Sequence, residues 1–177
     1  MKNGTKEITL VAILAAIIAI SGSFKFPGII PGTEFQLSAP IAVAICATFG
    51  FKRYITAGIM ASLVNLALGT HTIFNVIVAM VFRLVAGGMI GILGSSLLVV
   101  SLAGPIGTVC ARVVLSYITS TPIKVLVVAA LPGMLYTLLS SYLLFRIVEN
   151  ITLKTPYKDF IVSNNRLKKT AIKTSAS

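Results

Sequence analysis

The sequence predicts an all-α protein, an integral membrane bundle of about six transmembrane helices with both termini in the cytoplasm. Of its 177 residues, 56% are hydrophobic and only 11% are charged, and the mean hydropathy is +0.99, whereas a soluble domain carries about 25% charged residues. One helical span needs about 20 apolar residues, so six spans with short connections fill a single membrane domain. Basic residues at alternate ends of the apolar segments indicate a polytopic protein.

Six apolar segments are predicted as helices in order along the chain. The first follows Lys2 and Lys6 like the apolar core of a signal peptide, but it is too long and five further apolar segments follow it, so we expect it to be retained. The second and third are short, which leaves a differently tilted or re-entrant segment open. The predicted spans are residues 8–23, 37–51, 54–70, 73–94, 96–118 and 123–148.

The charges of the connections predict the topology. Lys52 and Arg53 separate the second and third helices, and Arg146 with a lysine-rich tail follows the sixth. The turns on the other side, residues 69–72 and 119–122, carry no lysine or arginine. The positive-inside rule therefore places both termini in the cytoplasm. We predict a membrane domain over residues 1–151 and a basic, disordered cytoplasmic tail over residues 152–177.

The first loop, residues 24–36, is longer than the other connections and contains two Pro-Gly pairs, each of which favours a turn. Long loops between closely connected helices are often lids or binding loops. A hairpin resting on the lipid headgroups is the alternative, and both interpretations stay open from the sequence.

Small residues lie at helical spacing in two places. In the first helix, Ala12 pairs with Ala16 and Ala15 with Ala19 at i, i+4 spacing. Residues 87–94 of the fourth helix carry a GxxxG face. Such faces allow helices in a bilayer to approach closely. They fit either a partner helix or packing inside the bundle, and for the glycine face we expect internal packing.

Two arginines are predicted in the membrane, Arg83 near the middle of the fourth helix and Arg112 in the half of the fifth that faces the outer leaflet. An arginine at mid-membrane costs about 2.5 to 3.5 kcal/mol on insertion scales. No Asp or Glu lies within a span core. Glu34 of the first loop folding inward, backbone carbonyls, water or an anionic ligand must therefore compensate them.

Polar residues in the same half of the membrane extend this candidate site. Asn75 lies eight residues before Arg83, which puts both on one helix face, and Gln36 and Tyr117 lie toward the same side. Two further residues, Asn65 and His71, lie toward the same side and could join this site. Their simpler interpretations are an interhelical hydrogen bond for Asn65 and a solvated loop residue for His71.

Several classes of function are excluded or disfavoured. The sequence contains no phosphate-binding G-x-x-x-x-G-K-[ST] run. It has one histidine and no metalloprotease or serine-hydrolase motif, so we expect no enzyme, no metal site and no cofactor. The net charge is +11, but six of the 15 basic residues lie in the last 24 positions, where cytoplasmic positive charge would fix the topology, so nucleic acid is disfavoured as a partner. Cys46 and Cys110 lie in apolar runs and are expected to be packed rather than paired.

With six spans, an Ala-x-x-x-Ala first helix and a long first loop with Pro-Gly turns, the region from Ile8 to Val148 resembles the substrate-binding S components of energy-coupling factor transporters. The resemblance implies that the alanine face of the first helix binds a transmembrane coupling subunit driven by two cytosolic ATPase subunits. It also implies that the whole S component topples to release a bound micronutrient inside the cell. The residues that would bind the coupling subunit are Ala12, Ala15, Ala16 and Ala19.

The resemblance further implies that helices four to six and the first loop bind the solute in the outer half of the membrane. The candidate residues are Glu34, Gln36, Asn75, Arg83, Arg112 and Tyr117. Subgroups of the family bind thiamine, riboflavin, biotin, folate, pantothenate, nicotinate, tryptophan or cobalt and nickel ions. No residue selects among them, although the start of the chain lacks the N-terminal histidine motif of the metal-binding subgroup. The two unpaired arginines favour an anionic solute.

Two other functions stay open from the sequence. A non-transport membrane scaffold or assembly subunit would use the small-residue faces to bind another helix. An intramembrane enzyme would need a polar cluster that no motif identifies. We therefore expect a multi-pass protein of the cell membrane, in contact with lipid, that captures a small solute for an ATP-driven importer.

Overall fold

A computed structural model of the chain describes residues 2–26, 35–36 and 38–162. Six α-helices make up most of this part, together with two strands of two residues each and one short 3-10 helix. The helices are α1 (Lys2–Ser23), α2 (Ser38–Phe49), α3 (Phe51–Ala67), α4 (Ile73–Leu93), α5 (Leu97–Thr119) and α6 (Ile123–Leu153). The strands are β1 (Lys25–Phe26) and β2 (Phe35–Gln36), and the 3-10 helix is Lys158–Phe160.

The predicted all-α membrane bundle is confirmed. Four of the helices, α1, α4, α5 and α6, are long and apolar enough to span a membrane. At 12 and 17 residues, α2 and α3 are shorter, as the sequence predicts. Because consecutive helices alternate in direction, the bundle has two distinct ends. We call the end with strands β1 and β2 the hairpin end, and the end with the start of α1 and the end of α6 the terminal end.

Helix α2 forms the centre of the bundle and contacts each of the other five helices. Nine of its 12 residues are buried, and its small side chains allow the surrounding helices to approach closely. Ser95, in the turn between α4 and α5, donates a hydrogen bond to the Ala47 carbonyl at 3.0 Å, so α2 ends level with that turn. A helix of 12 residues is about 18 Å long, against about 30 Å of hydrocarbon. Helix α2 therefore fills the terminal half of the bundle only.

The other helices surround α2 in the order α1, α3, α4, α5, α6, with α6 packed against α2. Glycines allow the closest approaches. Gly104 of α5 faces Thr137 of α6, and a Cβ on that glycine would overlap Thr137 Cγ2. Gly87 is buried against Phe51 and Tyr54, where its Cβ would meet the Phe51 ring at 2.8 Å. The predicted internal use of the glycine face is thus confirmed at Gly87.

The first loop forms an antiparallel pair of short strands, in which Lys25 pairs with Gln36 and Phe26 with Phe35. Strand β2 contacts α1 and α6. The loop therefore returns to the bundle beside the start of α2. Residues 27–34, which include both Pro-Gly pairs and Glu34, lie outside the described residues.

The domain boundary predicted after residue 151 lies inside α6, which continues to Leu153. The next residues fold back over the terminal end instead of leaving the bundle. Ile161 is buried, and the Arg53 guanidinium lies 4.9 Å from the centre of the Phe160 ring and donates to the Phe160 carbonyl at 3.3 Å. These apolar and cationic contacts hold Phe160 and Ile161 against the bundle. The predicted disorder of residues 163–177 lies outside the described part.

Candidate functional site

Arg83 lies at the middle of α4 and points into the bundle toward α3. Only 6% of the residue is exposed. Its Nη1 donates to the Ser62 hydroxyl at 2.6 Å and contacts the Met80 sulfur at 3.5 Å. Gly58 makes room for the side chain, since a Cβ on that residue would lie 2.5 Å from Arg83 Nε. Helix α3 therefore provides a notch and a hydroxyl for the guanidinium.

The charge of Arg83 has no acidic partner among the described residues. Ion pairs of the described residues join Arg53 to Glu7 and Arg146 to Glu149, each at 2.9 Å, and both lie at the terminal end. A hydroxyl and a thioether are neutral groups. Burying a cation with neutral partners alone costs several kcal/mol, so this place in the bundle favours an anion.

Arg112 lies on α5, the neighbour of α4. It is partly exposed, but its Nε is buried and has no hydrogen-bond partner within the described part of the chain. A Cβ on Gly107 would lie 3.2 Å from the Phe82 carbonyl, so these two residues are level. Arg112 is five residues beyond Gly107 toward the hairpin end, and Arg83 is one residue beyond Phe82 in the opposite direction. The Arg112 backbone is therefore about 9 Å closer to the hairpin end than that of Arg83.

The structure does not bring the remaining predicted site residues together around the arginines. Asn75 lies in the first turn of α4, where its backbone N–H is capped by Thr72 Oγ1 at 3.4 Å. Tyr117 is 90% exposed near the hairpin end of α5. The backbone of Gln36 pairs with Lys25 in the strands, and Glu34 lies outside the described residues. Their roles in binding stay predictions.

A second polar group, outside the predicted set of six solute-binding residues, lies between α1 and α3 at the hairpin end. Asn65 and His71 are only 2% and 8% exposed. The expectation of a solvated His71 is therefore wrong, because the ring folds back to hydrogen-bond the Gly22 carbonyl of α1 at 3.2 Å. The predicted interhelical hydrogen bond of Asn65 is confirmed by the contact of its Nδ2 with the Ala19 carbonyl at 3.3 Å.

Sequence reasoning also missed Ser62, Gly58 and Tyr54. All three lie on the buried face of α3, and the Tyr54 hydroxyl is buried with no partner among the described residues. The available signal was the spacing of small residues at 58 and 62, one helical turn apart. Nothing in the sequence indicates that this face meets Arg83.

The four alanines of α1 divide into two pairs. Ala15 and Ala19 are buried inside the bundle, as expected for internal packing. Ala12 and Ala16 are exposed and form a shallow strip, flanked by the exposed side chains of Ile8, Ile13, Ile17 and Ile20. The strip formed by Ala12 and Ala16 is thus accessible to another helix, and its use by a partner stays a prediction.

Comparison with known proteins identifies a relative of similar length. The chain is 48% identical over 153 residues to Protein BioX of Lysinibacillus sphaericus, and the match covers 86% of this chain and 92% of that protein. No protein-family model and no solved structure matches the chain.

Proposed function

This chain belongs to the family of Protein BioX, and on that premise we propose that it captures a small anionic, biotin-related solute for ATP-driven uptake into the cell. We take the prefix of the relative's name to point to biotin. In the proposal the chain is not itself an enzyme, and it is a multi-pass protein of the cell membrane. The energy comes from a separate module, a transmembrane coupling subunit with two ATPase subunits.

One observation carries the proposal that the solute is an anion. Arg83 is almost fully buried, and its hydrogen-bond partners among the described residues, the Ser62 hydroxyl and the Met80 sulfur, are neutral. Hydrogen bonds from a guanidinium to a carboxylate are about twice as strong as those between neutral groups. A carboxylate would therefore supply the counter-charge that the described chain lacks. Biotin and its precursors carry carboxylates, which fits this requirement.

The shape of the bundle supports binding in the half that contains the hairpin. Helix α2 fills the terminal half, whereas the other half is surrounded by α1, α3, α4, α5 and α6 without a central helix. Arg83 lies at mid-depth, and Arg112 lies closer to the hairpin end. A solute that enters from the hairpin end would thus reach both guanidinium groups.

The test measures the affinity of the purified wild-type protein and of three variants for labelled biotin. Arg83→Gln and Arg112→Gln remove the two cations, and Arg146→Gln, which removes an exposed arginine at the terminal end, is the matched control. We expect Arg83→Gln to weaken binding about 30-fold or more, because loss of one member of a buried charge pair costs about 2 to 5 kcal/mol. Arg112→Gln should also weaken it, and the control should not. Unchanged affinity in both test variants would refute the anion site.

The scaffold alternative has a separate test. Affinity purification of the membrane-embedded protein should recover a coupling subunit together with paired ATPases. Recovery of structural membrane proteins without any ATPase would favour a scaffold and contradict the proposal.

A further inference from the structure

Two buried acceptor atoms lie where the ends of α1 and α3 meet, at the hairpin end. Asn65 Nδ2 donates to the Ala19 carbonyl at 3.3 Å, and His71 Nε2 lies 3.2 Å from the Gly22 carbonyl. Gly22 lies close to both side chains, since a Cβ there would be 3.2 Å from Asn65 Nδ2 and 3.6 Å from His71 Cε1. Both side chains are therefore held in place from the α1 side.

These contacts determine whether the second polar atom of each side chain, His71 Nδ1 and Asn65 Oδ1, donates or accepts a hydrogen bond. A carbonyl oxygen only accepts hydrogen bonds, so Nε2 of His71 carries the proton, and in the neutral ring Nδ1 is an acceptor. In the same way, the contact of Asn65 Nδ2 with a carbonyl leaves Oδ1 as an acceptor. Neither atom finds a donor among the described residues, although both are buried.

Buried polar atoms in folded proteins nearly always have a hydrogen-bond partner. We infer that Asn65 Oδ1 and His71 Nδ1 form a subsite for the N–H donors of a bound solute, a urea-like or amide-like group. The inference rests on the proposed function and adds to it a second recognition element. Ordered water could supply the same donor chemistry without any solute, and the experiment below separates these two sources.

The position of the subsite fits a solute with two different ends. Ser62, the hydrogen-bond partner of Arg83, precedes Asn65 by three residues on the same buried face of α3. The separation along the helix is about 4.5 Å, and His71 lies beyond Asn65 toward the hairpin end. A carboxylate at Arg83 would then place the N–H donors of the same solute near Asn65 and His71. Biotin has this arrangement, with a carboxylate on a flexible chain and two N–H groups on its ureido ring.

Two substitutions of His71 test separately the acceptor at Nδ1 and the hydrogen bond of Nε2 to α1. In His71→Gln, the side-chain amide nitrogen takes the place of Nε2 and keeps the Gly22 contact, but the acceptor at the Nδ1 position is lost. In His71→Asn, Oδ1 takes the place of Nδ1 and keeps the acceptor, but the Gly22 contact is lost. The probes are biotin and lipoate, which has the same pentanoate chain and no N–H group. Thermal unfolding of each variant reports the structural role independently.

We expect wild-type protein and His71→Asn to prefer biotin over lipoate, and His71→Gln to lose about tenfold of that preference, as for a lost buried hydrogen bond. His71→Asn alone should unfold at a lower temperature. If wild-type protein binds biotin and His71→Gln keeps the full preference, the atoms bind water only and the inference is overturned while the proposed function stands. If wild-type protein binds neither probe, the proposed function fails and the inference fails with it.

Discussion

Arg83 reaches α3 because residue 58 has no side chain. Its guanidinium occupies the space that any larger residue at this position of α3 would fill. The position of the cation is therefore set by a residue 25 positions earlier in the chain, as well as by its own helix.

Gly58→Ala should displace Arg83 and weaken anion binding about tenfold or more, since its Cβ would lie 2.5 Å from Nε. Overpacking of this kind also destabilises a fold by about 1 to 3 kcal/mol. The matched control is Gly88→Ala in α4, where a Cβ meets nothing within 4 Å. Biotin binding and thermal unfolding in detergent measure the two effects. Equal biotin affinity of the two variants would contradict the role of Gly58 in making room for Arg83.

At the level of elements, the contact between α5 and α6 depends on the pair Gly104 and Thr137. The Thr137 hydroxyl donates to the Gly133 carbonyl at 2.7 Å, and its methyl group points at Gly104. Gly104→Ala should lower the free energy of unfolding by about 1 to 3 kcal/mol. Thr137→Ser keeps the hydroxyl and removes the methyl group, so the double variant should recover most of the loss. Purely additive effects in this double-mutant cycle would show that the two residues do not pack together.

The exposed strip formed by Ala12 and Ala16 allows a test of binding to the proposed coupling subunit. Ala16→Trp should abolish recovery of the coupling subunit and ATPases, because the bulky ring prevents close approach of another helix. Biotin binding should stay unchanged. The control is Leu139→Trp, an equally bulky change at an exposed position of α6. Loss of the partner in both variants, or in neither, would contradict a docking surface on α1.

The sequence predicts the helices well because the spans are apolar runs. The depth of a charged residue in the membrane follows from the number of residues that separate it from the ends of its span. The contacts between helices are harder to predict from the sequence. That Arg83 meets Ser62 depends on how α3 and α4 rotate against each other, and periodicity does not determine this. The burial of His71 was missed for a similar reason, since a polar residue in a turn is solvated by default and only the nearby end of α1 covers it. The C-terminal boundary was misplaced because Phe160 and Ile161 are isolated apolar residues without a repeating pattern.

On the scale of the whole molecule, the charges distinguish the two ends. The described residues at the terminal end include the basic side chains of Lys6, Lys52, Arg53, Arg146, Lys154 and Lys158. Lys124 lies at the hairpin end. The positive-inside rule then predicts the terminal end in the cytoplasm.

Single cysteines test this orientation in a background without Cys46 and Cys110. Leu68→Cys lies in the exposed turn after α3 at the hairpin end, and Lys154→Cys is exposed at the end of α6. A membrane-impermeant thiol reagent added to whole cells should label the first variant and not the second. Both should be labelled after the cells are opened. The reverse pattern in intact cells would invert the topology.

The shortness of α2 has a consequence for transport. Its buried residues fill the centre of the terminal half of the bundle and close that half to a solute. In the proposed function, a solute held on the hairpin side of α2 would have no continuous path to the terminal end, so the chain would act as a solute-binding subunit and not as a channel. Delivery to the other side of the membrane then requires either that α2 leave its place or that the protein tilt as a unit, and the dense contacts of α2 with all five neighbours favour the second.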